Sequence, residues 1–258
     1  MKPTRTRPFN EVNREAAPPI YRRLAPILHH LLTPVCRRDW DDFPSLPKTG
    51  PAIIVSNHLS SFDAVTVVDY VLYHGRMAYF LAKGGLFKLP VLGRLLRAID
   101  QVPVYRGTHL AGGALVEAAR RLEAGKVVVI FTEGTTCRDP ELWPFAVKTG
   151  AARLAIATGA PVIPIGHWGT STICPDNAGP QREPHPIPRP WVRFRSGPAV
   201  DLSAFGRDPS DRAMVRAAAT TILGAIVAQV ERARGETAPA LRWNPKTKGY
   251  VPLDEAVW

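Results

Sequence analysis

The chain has 258 residues, a formal charge of +11, 45% hydrophobic and 21% charged residues. That length makes one large domain or two small ones, and the apolar share is enough for a core, which argues against wholesale disorder. Its three cysteines, Cys36, Cys137 and Cys174, show no CxxC spacing, against both a disulfide framework and a zinc ribbon and for a reducing compartment.

The charge is concentrated. Residues 1–38 carry eight Lys/Arg against Glu11 and Glu15, a net of +6, and residues 83–97 carry Lys83, Lys88, Arg94 and Arg97 with no acid. Localised basicity points to a polyanion: nucleic acid, an anionic membrane or a phosphate-bearing small molecule. No basic stripe with interleaved aromatics or other nucleic-acid motif accompanies it. No run approaches the roughly 18 apolar residues of a spanning helix. The longest, 217–230, contains Thr220, Thr221 and Gln229. The start of the chain lacks the apolar stretch of a secretory signal.

Residues 1–19 read as a polar arm. Over 20–35, Ile20, Leu24, Ile27, Leu28, Leu31 and Leu32 share one helical face, with Arg22, Arg23, His29 and His30 largely off it. Pro26 is expected to kink or interrupt this helix. Two readings stay open: a basic amphipathic helix in a membrane interface, or a helix docked on the protein's own core. From residue 50 strands and helices alternate. Strands are expected at 52–56, 77–81, 101–105, 127–131, 161–166 and 192–197. Helices are expected at 62–73, within 86–99, and at 110–123, 148–158 and 210–234. This alternation predicts a single α/β domain, a mostly parallel central sheet flanked by helices, preceded by the amphipathic segment. The Pro-rich 170–190 reads as a surface loop and the tail after Gly235 as irregular chain.

Three constellations carry chemistry. After the first strand comes Ser56-Asn57-His58-Leu59-Ser60-Ser61-Phe62-Asp63. Ser60 or Ser61 is expected to cap the helix, placing Asp63 in its first turn, from where it reaches back to His58. A carboxylate there fixes the imidazole tautomer and leaves the other nitrogen as a base for an alcohol. With 7 His and 12 Asp in the chain, chance supplies about 0.3 such spacings, so the pair needs company. The second follows the strongest strand: Phe131-Thr132-Glu133-Gly134-Thr135-Thr136. Gly134 permits a tight turn and close approach of backbone N–H groups to an anion. Glu133 suits a substrate hydroxyl or a neighbouring Lys or Arg, and an ordinary strand-to-helix turn is the plain alternative. The third set is Lys83, Arg106, Arg138 and Lys148. His58, Lys83, Arg106 and Glu133 all fall just after predicted strands, where open parallel sheets bind ligands. Lys88, Arg94 and Arg97 read as a solvated or membrane-facing surface. His74, His167 and His185 lack ligand-like company and read as surface or structural, so no metal is expected.

In order, these blocks resemble the glycerophospholipid acyltransferase family, within it the 1-acylglycerol-3-phosphate (lysophosphatidate) acyltransferases. They run from Asn57–Asp63, through Lys83 to Gly93 with Pro90, then Val102 to Arg106 and Glu133–Thr135, to Pro161–Ile165. The resemblance covers about residues 50 to 200. One position departs: the family often has Arg directly after the Thr of E-G-T, whereas this chain has Thr136, with Arg138 two places on. That variant resembles actinobacterial members. The resemblance implies an acyltransferase domain over 41–258, with 1–40 as a basic arm and membrane-contact segment. It implies His58 as general base oriented by Asp63, and Lys83, Arg106, Glu133, Gly134, Thr135, Arg138 and Lys148 in substrate binding. It further implies a lysophospholipid acceptor, an acyl-CoA or acyl carrier protein thioester as donor with no cofactor, and an anionic membrane at the cytoplasmic face as partner. Thr136 leaves the acceptor open among lysophosphatidate, glycerol 3-phosphate, other lysophospholipids and glycolipids. A non-catalytic basic membrane- or nucleic-acid-binding protein is the alternative of a different class.

Overall fold

The computed structural model describes residues 17–105, 111–175 and 188–256. Its central sheet has the order β1 (Arg37–Trp40), β7 (Trp191–Ser196), β6 (Val162–Trp168), β2 (Ala52–Ser56), β5 (Val127–Phe131), β3 (Ala78–Lys83) and β4 (Val102–Val104). Every pairing is parallel except β6 with β7. The carboxyl ends of β2 to β6 therefore lie along one edge of the sheet. The predicted single α/β domain with a mostly parallel sheet is the observed one.

Helices cover both faces, which is why β2 and β5 are short, unbroken apolar runs. On one face Ile53, Val55, Val128, Ile130 and Val162 pack against α4 (Ala111–Glu123), α5 (Gly150–Thr158) and α7 (Arg212–Arg234). On the other, Ile54, Val127, Val129, Ile163 and Ile165 meet α2 (Asp63–Tyr73) through Val67, Tyr70 and Val71. By length and composition α7 is apolar enough to cross a membrane. Here it is a core helix. A Cβ on Gly166 of β6 would sit 2.3 Å from the α7 backbone at Gln229 and Val230. Only a glycine lets the helix approach the strand so closely.

Several local expectations differ from the structure. Helix α1 (Pro19–Leu32) runs through Pro26 without ending. It docks by Tyr21, Ala25 and Leu32, with Tyr21 and Ala25 packed against Leu72, Met77 and Tyr79. His29 Nδ1 lies 2.7 Å from the buried Asp69 carboxylate, which also accepts Arg38 Nε at 2.9 Å. Ile20, Ile27 and Leu31 of the predicted apolar face remain exposed. Strand β1, Arg-Arg-Asp-Trp, has no apolar signal because it is an edge strand, its Asp39 paired to Arg195 and Arg193 of β7. The tail is not wholly irregular: β8 (Arg242–Asn244) and β9 (Gly249–Val251) form a hairpin on which Trp243 meets Tyr250 edge to face. The 170–190 loop opens with a short helix, α6 (Thr170–Ile173). The segment expected at 86–99 is a 3₁₀ turn that begins earlier, Gly84–Lys88, followed by α3 (Pro90–Ala98).

Candidate active site

β2 ends at Ser56 and α2 begins at Asp63, so the intervening turn returns the Asp63 carboxylate to the strand end. Asp63 Oδ2 accepts His58 Nδ1 at 2.8 Å, Ser60 N at 2.8 Å and Leu59 N. The anion lies at the helix N-terminus, where the macrodipole favours it. Neither serine is the cap: the N-cap is Phe62, without a side-chain bond. Ser60 Oγ instead accepts Phe62 N and donates to the Cys174 carbonyl, the work of a turn residue.

Asp63 is fully buried, which raises its carboxyl pKa, but His167 and His58 together more than offset this and hold it below the usual carboxylate range. The His58 ring lies flat on Phe131, centroids 4.1 Å apart and planes at 11°, and Phe80 packs against Phe131 in turn. With Nδ1 bound to the carboxylate, the tautomer is set and Nε2 carries the lone pair. The side chain is 17% exposed, enough to reach a substrate from the strand edge.

The turn after β5 wraps the same loop. Glu133 is buried, its Oε1 accepting His58 N at 3.3 Å, and a second backbone donor comes from Phe145. Cys137 N donates to the His58 carbonyl. Glu133 thus pairs with backbone groups rather than with a Lys or Arg, and it braces His58 from below. Gly134 has φ +69, and its N–H closes the turn onto the Phe131 carbonyl. A Cβ there would stand 3.0 Å from the Lys148 stem, so the glycine also makes room for that lysine to cross the turn. Thr135 is half-buried in the turn, and Arg138 and Lys148 are exposed beside it. Lys83 is the last residue of β3, not beyond it, exposed at the same edge and separated from β2 by β5. Arg106 lies outside the described residues, as does His185. Among the described residues no cluster of three or more His, Cys, Asp or Glu forms a metal site.

Burial pushes the Glu133 carboxyl well up; the two backbone donors lower it in part, and Asp63 and Asp139 raise it further. The site thus pushes two carboxyls in opposite directions, Asp63 toward its ionised form and Glu133 toward its protonated form. A folded-state pKa above the unfolded one means the folded state holds a proton that the unfolded state loses, so this residue lowers stability as pH rises above the ordinary glutamate range. Glu133→Gln keeps the acceptor oxygen and removes the titration. Its melting temperature, measured across pH, should gain on the parent progressively from about pH 4.5 upward. A constant difference would place the charge elsewhere.

Sequence reasoning missed one residue of the site. His167, on β6, is fully buried, with Nε2 3.1 Å from Asp63 Oδ1 and Nδ1 3.1 Å from Ser56 Oγ. Its backbone is clamped by Asn57, whose amide donates to the His167 carbonyl and accepts its N–H, both at 3.0 Å. No local spacing signals this contact across 110 residues. Strand alternation does put His167 on the face of Ile163 and Ile165, at the carboxyl edge.

The acyltransferase family model matches residues 42–168, from before β2 to the end of β6. Over that span the chain resembles an acyltransferase domain. The match takes in His58, Asp63, Lys83, Glu133, Gly134, Lys148 and His167. The chain is similar to the 1-acyl-sn-glycerol-3-phosphate acyltransferases of Brassica napus (chloroplastic BAT2; 33% identity, covering 55% of this chain and 40% of the relative) and Escherichia coli K12 (27%; 73% and 70%). It thus spans about two fifths of the plant protein's length. The crystal structure of the 1-acyl-sn-glycerophosphate acyltransferase PlsC from Thermotoga maritima has the same fold, with TM-score 0.62 and 22% identity, covering 85% of this chain and 82% of that one.

Proposed function

We propose that this protein moves an acyl chain from an acyl-CoA or acyl carrier protein thioester to the free hydroxyl of lysophosphatidate, forming phosphatidate at a membrane surface. The observation that carries the reading is the His58–Asp63 pair, 2.8 Å apart, with its second nitrogen directed from the strand edge in a chain that resembles this family. His58 Nε2 takes the hydroxyl proton as the oxygen attacks the thioester carbonyl. A C–O bond forms, the C–S bond breaks, and the imidazolium returns its proton to the departing thiolate. Asp63 stabilises that imidazolium. Lys83, Arg138 and Lys148 are the exposed cations suited to the acceptor phosphate, and Arg106 joins them by resemblance alone. Thr136, where the family often has Arg, is the one observation favouring a different acceptor for the same chemistry.

The purified protein, offered acyl-CoA or acyl carrier protein thioester with lysophosphatidate, glycerol 3-phosphate, other lysophospholipids and glycolipid alcohols, should yield the mass of phosphatidate from lysophosphatidate. A product from another acceptor alone corrects the substrate, and no product from any removes the reading.

Membrane contact is supported by exposed apolar side chains set among cations. Leu31 of α1 is 63% exposed and Val91 of α3 79%, with Ile20, Ile27, Leu86, Leu89 and Leu92 also exposed. Arg22, Arg23, Lys88, Arg94 and Arg97 stand among them. Each basic residue contributes about 1 kcal/mol at an anionic surface, and each buried aliphatic side chain about 1.5–3 kcal/mol. Removing α1 would uncover the Tyr21 pocket and take His29 from the buried Asp69, so outward-facing substitutions make the cleaner test. Leu31→Asp with Val91→Asp should lower partitioning onto phosphatidylglycerol-containing vesicles at least tenfold in sedimentation, without changing the melting temperature. Equal sedimentation places the contact elsewhere.

A further inference from the structure

We propose that His167 is a positioning residue of the catalytic base, so that the proton-accepting unit is a relay, His167–Asp63–His58, rather than a pair. The inference rests on the reading of His58 as base given above.

The geometry leads to it. Asp63 Oδ2 already accepts three donors, those of His58, Leu59 and Ser60. Asp63 Oδ1 accepts none of them, and His167 Nε2 is likewise without another hydrogen-bonding partner. These two fully buried atoms face each other at 3.1 Å, though not in the alignment of a formed hydrogen bond. An unpaired buried carboxylate oxygen is costly, so Nε2 is the protonated nitrogen of His167. Nδ1 then accepts Ser56 Oγ–H, and its 3.1 Å separation fits that role. One placement of donors suits the geometry: Asp63 accepting, His58 donating from Nδ1 and His167 carrying a proton on Nε2.

Three features hold the imidazole in place. Asn57 clamps its backbone, Ser56 holds Nδ1, and the ring stacks on Phe194 of β7 at 5.2 Å. The titratable groups acting with Asp63 are His58 from its own loop, His167 from β6, and Glu133 and Cys137 from the turn after β5. Burial shifts Glu133 and Cys137 well up, toward their uncharged forms, and the two imidazoles are the groups that favour the charged Asp63 carboxylate. Without the His167 donor, a proton shared by Asp63 and His58 is retained to higher pH. The base is then lost earlier as pH falls.

The test compares His167→Phe, His167→Gln and Ser56→Ala with the parent, and includes His58→Ala. The assay is thioester-dependent acylation of lysophosphatidate, read as kcat, KM and the pH profile of kcat/KM, with a melting curve for each variant. His167→Phe should lower kcat roughly tenfold or more, a part of the 10²–10⁴ that a general base supplies. Acceptor KM should stay constant and the acid limb should move to higher pH. His167→Gln offers an amide donor to Asp63 and should recover most of kcat and the original limb. Ser56→Ala releases the tautomer and should move the limb the same way by less. Unchanged kcat and acid limb in folded His167→Phe overturn the proposal, as does a His167→Gln that melts like the parent yet is as impaired as the phenylalanine variant. If His167→Phe does not fold, Ser56→Ala decides, and a limb coincident with the parent's overturns the relay. Retained turnover in His58→Ala overturns the base assignment and the relay with it. An inactive His58→Ala beside unaffected His167 and Ser56 variants overturns the relay alone.

Discussion

His58→Ala should give a folded protein whose acyl transfer is slower by about 10²–10⁴, the usual worth of a positioned general base. The fold should persist because the ring sits at a strand end, partly exposed. Its contacts are the stack on Phe131 and the bond to Asp63, and the carboxylate keeps two backbone N–H donors and the His167 contact. The backbone of residue 58, which Glu133 Oε1 and the Cys137 N–H hold, is unchanged by the substitution. Asp63→Asn separates orientation from charge. An asparagine whose amide N–H₂ faces His58 donates to Nδ1, which moves the ring proton to Nε2 and removes the lone pair that accepts the substrate proton. Its turnover should fall nearly as far as that of His58→Ala despite a nearly isosteric side chain. Mass spectrometry of phosphatidate from lysophosphatidate measures both. Full turnover in either removes that residue from the mechanism.

The second large effect lies at the opposite edge of the sheet. Arg76 is almost wholly buried, and its guanidinium donates to the carbonyls of Pro47, Gly50 and Gly125. Gly50 and Gly125 stand just before β2 and β5, so one side chain ties together the entries to the two central strands. Arg76→Met keeps much of the volume and strands three carbonyls. At about 1 kcal/mol or more for each buried unsatisfied group, the loss is about 3 kcal/mol. For a chain of this size that lowers the melting temperature by roughly 6–12 °C. Activity per folded molecule should hold, because His58 and Asp63 are at the other ends of the strands. A melting temperature within a degree of the parent would show that water replaces the guanidinium at no cost.

Much of the architecture is legible in the chain because its causes are local. Strands buried on both faces are short apolar runs, so 52–56 and 127–131 are read to the residue. The His58–Asp63 contact needs only a turn and the start of a helix, which five residues encode. The edge strand Arg37–Trp40 carries no such run because its neighbours are solvent and the arginines of β7. The stripe on α1 illustrates the same limit. Periodicity identifies an apolar face, but the docking side, Tyr21, Ala25 and Leu32, is selected by the shape of the α2 and β3 surface, leaving Ile20, Ile27 and Leu31 outward. Glu133 likewise reads as a polar group beside glycine, and only the returning 137–147 segment turns it into a buried acceptor of backbone donors.

By itself, then, the sequence determined the order of the core strands and main helices between residues 50 and 234, the single domain, and the pair His58 and Asp63, since hydrophobic period and turn spacing act over a few residues. The tertiary structure alone decided that β6 lies beside β2, which carries His167 from about a hundred residues away to the Oδ1 of Asp63. It also decided that Arg76 meets three loop carbonyls and that Gly166 lies beneath α7. Those contacts depend on which strands become neighbours, and neighbours are set by burial of the whole sheet rather than by any stretch of chain.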